Sequence, residues 1–218
     1  FGDGGPGFVS VAQPFQIHGH QQVSLRPNSD WTTLRVRGRN RNPDAYGIAG
    51  YALETRSKVW SPLNLLAGLA RVPVIRRFDL YLLAQPRGGH ITATLAGRTP
   101  QKISTRASKR GPLWLTLEGP GSRYEVQTEG DGPVRVFGVS IERPGAGVIV
   151  DAFGISGAKA RDQLPWNRAI HKAHLDRAAP DLIVLEYGTN ESGGDLQNMT
   201  RYERDLRRVV DRIRALRP

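Results

Sequence analysis

Between residues 30 and 145, apolar and polar side chains alternate with a period of two, in short runs separated by turn-forming residues at intervals of about ten. Successive side chains of a strand point to opposite faces, so this spacing predicts an all-β module. In the first run Trp31, Thr33 and Arg35 oppose Thr32, Leu34 and Val36. Phe78, Leu80 and Leu82 then share a face, as do Ile91, Ala93 and Leu95, and Leu113, Leu115 and Leu117. Turns are expected at 86–89, 119–121 and 130–133, where Gly, Pro and Asp cluster. In the last run the apolar parity switches from Val134 and Val136 to Phe137, Val139 and Ile141, which implies a bulge near Gly138 or a strand buried on both faces. The simplest arrangement is a β-sandwich or jelly roll.

After Gly147 the pattern changes. Residues 148–153 (Val-Ile-Val-Asp-Ala-Phe) and 181–187 (Asp-Leu-Ile-Val-Leu-Glu-Tyr) are mostly apolar runs that predict buried strands, each ending in a short polar loop. A helical stretch to about Ala179, broken at Pro165, lies between them. A final helix from about Leu196 to Leu216 would carry Tyr202, Leu206, Val209, Val210, Ile213 and Leu216 on one stripe. Strand, helix, strand, helix with apolar strands predicts a βαβ unit in a parallel sheet. Two parallel strands cannot cover both of their faces, so further strands are expected from outside these residues. The expected organisation is therefore α/β with an inserted sandwich: 1–29 and 146–218 belong to a partial parallel-sheet domain, and 30–145 form the insert. The sequence opens at Phe1 without an initiator Met, and it is expected to be a central piece of a longer chain.

Composition narrows the function classes. No apolar run approaches a membrane span, and the absence of Cys excludes disulfides and thiolate metal sites. The formal charge of +11 comes from 26 Arg and only five Lys, scattered along the chain without a basic stripe beside an aromatic platform. Nucleic acid is therefore not the expected partner; attraction to an anionic envelope polymer remains open. Neither a phosphate-binding loop nor a dinucleotide fingerprint is present, and no cofactor is expected.

Parallel α/β sheets place ligands beyond the carboxyl ends of their strands. There lie 154–158 (Gly-Ile-Ser-Gly-Ala) and 188–191 (Gly-Thr-Asn-Glu). The backbone N–H of Gly157 and the side-chain amide of Asn190 can converge there on one small oxyanion, as acyl transfer requires. Equally, Gly154 and Gly157 can serve as a strand-to-helix turn and Asn190 as a cap. Residues 154–160 (Gly-Ile-Ser-Gly-Ala-Lys-Ala) and 184–191 (Val-Leu-Glu-Tyr-Gly-Thr-Asn-Glu) resemble the second and third sequence blocks of the SGNH (GDSL-type) hydrolase superfamily. The opening Phe1-Gly-Asp-Gly-Gly-Pro-Gly-Phe-Val9 resembles the stretch following the nucleophile helix in the branch with bacterial peptidoglycan O-acetylesterases. The resemblance implies a flavodoxin-like parallel sheet with an inserted sandwich and a periplasmic or extracellular serine esterase. Its substrate would be an acylated carbohydrate such as peptidoglycan, with Gly157 and Asn190 as oxyanion donors. The family's Gly-Asp-Ser block would precede Phe1 and its Asp-x-x-His block would follow Pro218, for no Asp-x-x-His occurs in the sequence.

Other candidates are weaker. Ser156 is not in a Gly-x-Ser-x-Gly elbow, and Ser192 lacks an evident base. His171 and His174 have a spacing that could share a metal, although a partly exposed helix face explains them as well. His18 and His20 are expected on the surface or in a substrate groove, and Asp3 in a turn. A non-catalytic alternative is a carbohydrate-binding module stacking Trp31, Tyr51, Trp60, Trp114 or Tyr124 on sugar faces.

Overall fold

The computed structural model describes residues 7–10, 23–24, 30–35, 46–65, 75–95, 97–121, 123–142, 145–151, 153–155, 157–192 and 199–217. Eleven strands are defined: β1 Gly7–Ser10, β2 Val23–Ser24, β3 Thr32–Arg35, β4 Tyr51–Thr55, β5 Trp60–Leu65, β6 Ile75–Ala84, β7 His90–Leu95, β8 Gln101–Ser104, β9 Gly111–Gly121, β10 Arg123–Thr128 and β11 Val134–Glu142. They form two antiparallel sheets. One runs β3-β4-β11-β6-β9, with β1 also paired to β11; the other runs β2-β5-β10-β7-β8. β1 and β2 draw residues 7–10 and 23–24 into the sandwich, so its sheets extend past the expected boundary at residue 29.

The inward faces follow the alternation of the sequence. Phe78, Leu80, Leu82, Ile91, Leu95 and Tyr124 are buried between the sheets, and Phe78 stacks on Tyr124 at 4.4 Å between centroids. β9 continues through the turn expected at 119–121; Gly119 sits at φ +120° with the Arg98 guanidinium packed against it. Glycine adopts this positive φ without the steric cost borne by other residues.

β11 resolves the parity switch. Its register with β6 shifts between Val136 and Gly138. Val134 and Val136 before the shift, and Val139 and Ile141 after it, all reach the inter-sheet core, while Phe137 turns to the opposite side. One extra residue therefore lets the strand keep the same face inward across a change of parity.

The opposite side of that sheet is covered by helices. A short 3-10 helix, Ala160–Gln163, precedes α1 (Arg168–Ala178), whose first turn is capped by Asn167 accepting from the N–H groups of Ala169 and Ile170 at 3.0 and 3.1 Å. α2 spans Thr189–Ser192 and α3 Met199–Leu216. Phe137, Tyr81 and Leu83 from the sheet share a second core with Trp166, Ile170 and Leu216. A buried polar tie fastens α1 to the sheet: Asp79, 2% exposed, accepts from Arg77 at 2.8 Å, from Arg177 at 2.7 Å and from the Thr116 hydroxyl. The Arg177 guanidinium also lies 5.5 Å from the centre of the Trp114 ring.

Three expectations from the sequence differ from what the described residues show. Among the described residues, 148–151 and 182–187 belong to no strand or sheet. Their apolar side chains lie in water: Val148 is 60% exposed, Val150 63%, Leu182 79% and Val184 76%. A parallel strand needs hydrogen-bonding neighbours and cover on both faces, and the described residues supply neither. The stripe of α3 is also rotated. Asp205, Val209, Arg212 and Leu216 are buried, whereas Tyr202, Leu206, Val210 and Ile213 are half-buried. Arg212 is drawn inward because it donates to the carbonyls of Leu164 and Trp166 at 2.8 and 2.5 Å.

Thirdly, His171 and His174 are buried rather than partly exposed. His174 Nδ1 accepts the Ile48 N–H at 3.2 Å, and its ring meets those of Tyr81 and Phe137 edge-on, at 5.1 Å each. His171 packs on Trp166 at 5.2 Å. Among the described residues no group of acidic or His side chains could hold a metal. Burial pushes His174 down to about 3 and His171 to about 4, the latter helped by nearby Arg212, from an ordinary 6.5. Both rings are neutral in the folded chain at pH 7. The unfolded chain takes up their protons as pH falls below about 6.5, while the folded chain resists until about 4 and below. Their contribution to stability is therefore complete above 6.5 and is lost on acidification through that window. We expect His171→Leu to flatten the pH dependence of unfolding free energy between pH 6 and 4.5 by about 1 kcal/mol per pH unit. Denaturant melts at several pH values measure it; an unchanged slope would assign the acid sensitivity to other groups.

Candidate functional site

Two loops meet at the ends of the exposed apolar segments. The first follows residues 148–155 and turns at Gly157, whose φ of +72° suits glycine. The Ala158 N–H closes this turn on the Ile155 carbonyl at 2.9 Å. The chain then enters the 3-10 helix, where the Lys159 N–H donates to Asp162 at 2.9 Å. The second loop follows 182–187, passes Gly188 at φ +127° and enters α2.

Side chains of the second loop strap it to the first. Asn190 Nδ2 donates to the Ala158 carbonyl at 2.9 Å. Glu191 accepts the Ala160 N–H on Oε1 at 2.8 Å and the Gly188 N–H on Oε2 at 3.0 Å. Gln163 Nε2 donates to the Tyr187 hydroxyl at 2.6 Å, and burial holds that phenol above its ordinary pKa. Gly157 and Asn190 are thus brought within one residue of each other, 33 positions apart in the chain. A primary amide carries two N–H groups, so the bond to Ala158 orients the Asn190 side chain and leaves its second hydrogen available. Asn190 is exposed and Gly157 half-buried.

The remaining candidates separate from this place. Ser192 donates its hydroxyl to the Thr189 carbonyl at 2.9 Å, closing α2 on itself. Ser156, Asp3, His18 and His20 lie outside the described residues, as does the side chain of Trp60. Tyr51 and Tyr124 are buried; Trp31 packs against the inter-sheet core and Trp114 against the second core, so none of these four forms an exposed platform. The described residues do hold a His–Asp pair that sequence reasoning missed. His90 Nδ1 lies 2.5 Å from Asp131, which also accepts the His90 N–H at 2.8 Å and is held down at about 2 by these bonds. It clamps the 130–133 turn to β7, in the sheet that the helices do not cover. Its sequence separation of 41 left no local signal.

The sandwich touches the first loop directly. Tyr46–Gly50 form a buried turn before β4, and a Cβ on Gly50 would overlap the Ile155 methyl and approach the Trp166 ring to 2.9 Å. Ile155 is two residues from Gly157, so the turn before β4 helps to fix where that N–H stands.

No family model matches the chain, and neither does any curated protein. Over its whole length the chain is similar to a solved peptidoglycan O-acetylesterase, with 27% identity and a TM-score of 0.70. The match covers 100% of this chain and 56% of that one, so the chain spans little more than half the length of that enzyme. Looser likenesses are to a carbohydrate-binding module from Cellvibrio mixtus lichenase 5A and to the galactotriose-bound module TmCBM61. The first is 13% identical with a TM-score of 0.32, covering 64% of this chain and 98% of the module; the second is 9% identical at 0.39, covering 64% and 100%. At those scores they carry no argument. The fold as a whole is thus one shared with an esterase. We expect Gly50→Ala to destabilise the chain by about 1–3 kcal/mol, from positive φ (+67°) and the clash with Ile155. Urea unfolding checks it; a change below about 0.5 kcal/mol would show that the Ile155 loop moves freely away from the turn.

Proposed function

We propose that the chain is the central part of a serine esterase that removes acetyl, or a related acyl group, from cell-envelope carbohydrate such as peptidoglycan. The observation that carries this reading is the strapping of Asn190 to the loop of Gly157, at the ends of two apolar segments left bare. The 27% identity to a peptidoglycan O-acetylesterase across the whole chain supports it. In this reading the Gly157 N–H and the Asn190 amide donate to the oxyanion that forms when a serine hydroxyl attacks the acyl carbonyl. Donors fixed in advance stabilise that charge without reorganising, which is why they act on the transition state more than on the ground state. The serine, its histidine base and the aspartate that orients it come from outside these residues.

The same reading accounts for Val148–Val150 and Leu182–Val184. In the whole protein they would pair as strands of an SGNH-type parallel sheet whose other strands lie outside these residues, and 30–145 form the core of the inserted sandwich, joined by β1 and β2. The envelope placement and the polysaccharide partner follow from the same proposal; no helix among the described residues is long and apolar enough to cross a membrane.

Two measurements test it. With an aryl acetate as substrate, these 218 residues alone should show no serine-dependent turnover, whereas the whole protein turns over. In the whole protein Asn190→Ala should lower kcat by about 10²–10³ with KM little changed. Unaltered kcat would remove Asn190 from the site. A stability contrast tests the sheet: Val184→Lys should cost less than about 0.5 kcal/mol in the 218-residue chain, where Val184 is exposed, and several kcal/mol in the whole protein. Equal small costs in both would mean that nothing covers this segment.

A further inference from the structure

We propose that Glu191 is a positioning residue that holds the Gly157 and Asn190 donors in a common frame; the inference rests on the esterase reading above. Its carboxylate accepts from the backbone of both loops: Ala160 N–H on one oxygen, Gly188 N–H on the other. Ala160 is three residues beyond Gly157, and Gly188 two before Asn190, so each bond falls within three residues of one donor.

Chemistry explains why a carboxylate stands here. Each bond is charge-assisted, and an ionised carboxylate is acceptor-only, so both oxygens can take an N–H at once. An amide of the same shape has one acceptor oxygen and would turn its own N–H₂ toward the second donor. The Asn190 side chain spends one hydrogen on Ala158, so its direction depends on the distance between the loops, which Glu191 sets. Without that tie, the Gln163–Tyr187 and Asn190–Ala158 bonds still join the loops, but neither holds the backbone of both Gly188 and Ala160. A displacement of order 1 Å in a catalytic donor is enough to cost about a hundredfold in rate.

The test uses the whole protein and two independent readouts. In Glu191→Gln, amide hydrogen exchange at Ala160 and Gly188 should rise by at least tenfold while the melting temperature shifts by only a few degrees. Turnover of an acetyl ester should fall about 10–100-fold in kcat with KM within about twofold, and Glu191→Ala should be no worse than Glu191→Gln. Should exchange at both amides stay as in the unaltered protein, the tie is absent and the proposal is overturned, whatever the activity does. If exchange rises and Asn190→Ala slows turnover but Glu191→Gln does not, the positioning role is overturned and the esterase reading stands. If Asn190→Ala leaves kcat unaltered, the esterase reading of the site fails and the positioning role fails with it, even where faster exchange shows that the tie exists.

Discussion

β11 is buried on both faces, and the rest of the molecule is assembled on that constraint. Its valines and Ile141 close the space between the two sheets, and Phe137, turned outward by the bulge, becomes the floor on which the helices sit. A strand with one solvated face would have left α1 and α3 with nowhere to bury Ile170, Leu175 and Leu216. The sandwich and the helices therefore share packing rather than a tether.

That shared core reaches the loops. Trp166 and Ile155 pack against the turn before β4, and His174 accepts from Ile48 in the same turn. The polar tie of Asp79 with Arg77, Arg177 and Thr116 holds the far end of α1. Its buried charge, Asp79, is paired and hydrogen-bonded with two half-buried arginines, the condition under which such a group is tolerated. Helix α1 is thus held at both ends, and the loop that precedes it carries Gly157. The straps from Asn190, Glu191 and Gln163 then fasten the second loop to the first.

Against this well-packed region stand the two bare apolar segments. Six of the seven large apolar side chains exposed among the described residues are Val148, Ile149, Val150, Leu182, Ile183 and Val184. Water contact on runs of that kind is unfavourable by roughly 25 cal/mol for each Å² left uncovered. They fall immediately before the strapped loops, so the unmet burial demand and the candidate chemistry lie in the same part of the chain.

Much of this was legible in the sequence. Period-two alternation located the sandwich strands, the parity switch located the bulge near Gly138, and the polar loops after two apolar runs located Gly157 and Asn190. Periodicity reports which way a side chain points from its own backbone, and that is local information. It does not report what lies opposite. His171 and His174 are core residues because Tyr81, Phe137 and Ile48 arrive from far away in the chain; Asp205 and Arg212 are buried because carbonyls of another turn await Arg212. Glu191 looks like any exposed helix acid until its two backbone donors, one of them 31 residues distant, are brought to it. The sequence by itself determined where strands and helices could form and which loops carried donors. Tertiary structure alone decided which faces were buried and which segments stayed uncovered, because burial is a property of pairs of surfaces and each stretch of sequence encodes only one of the two.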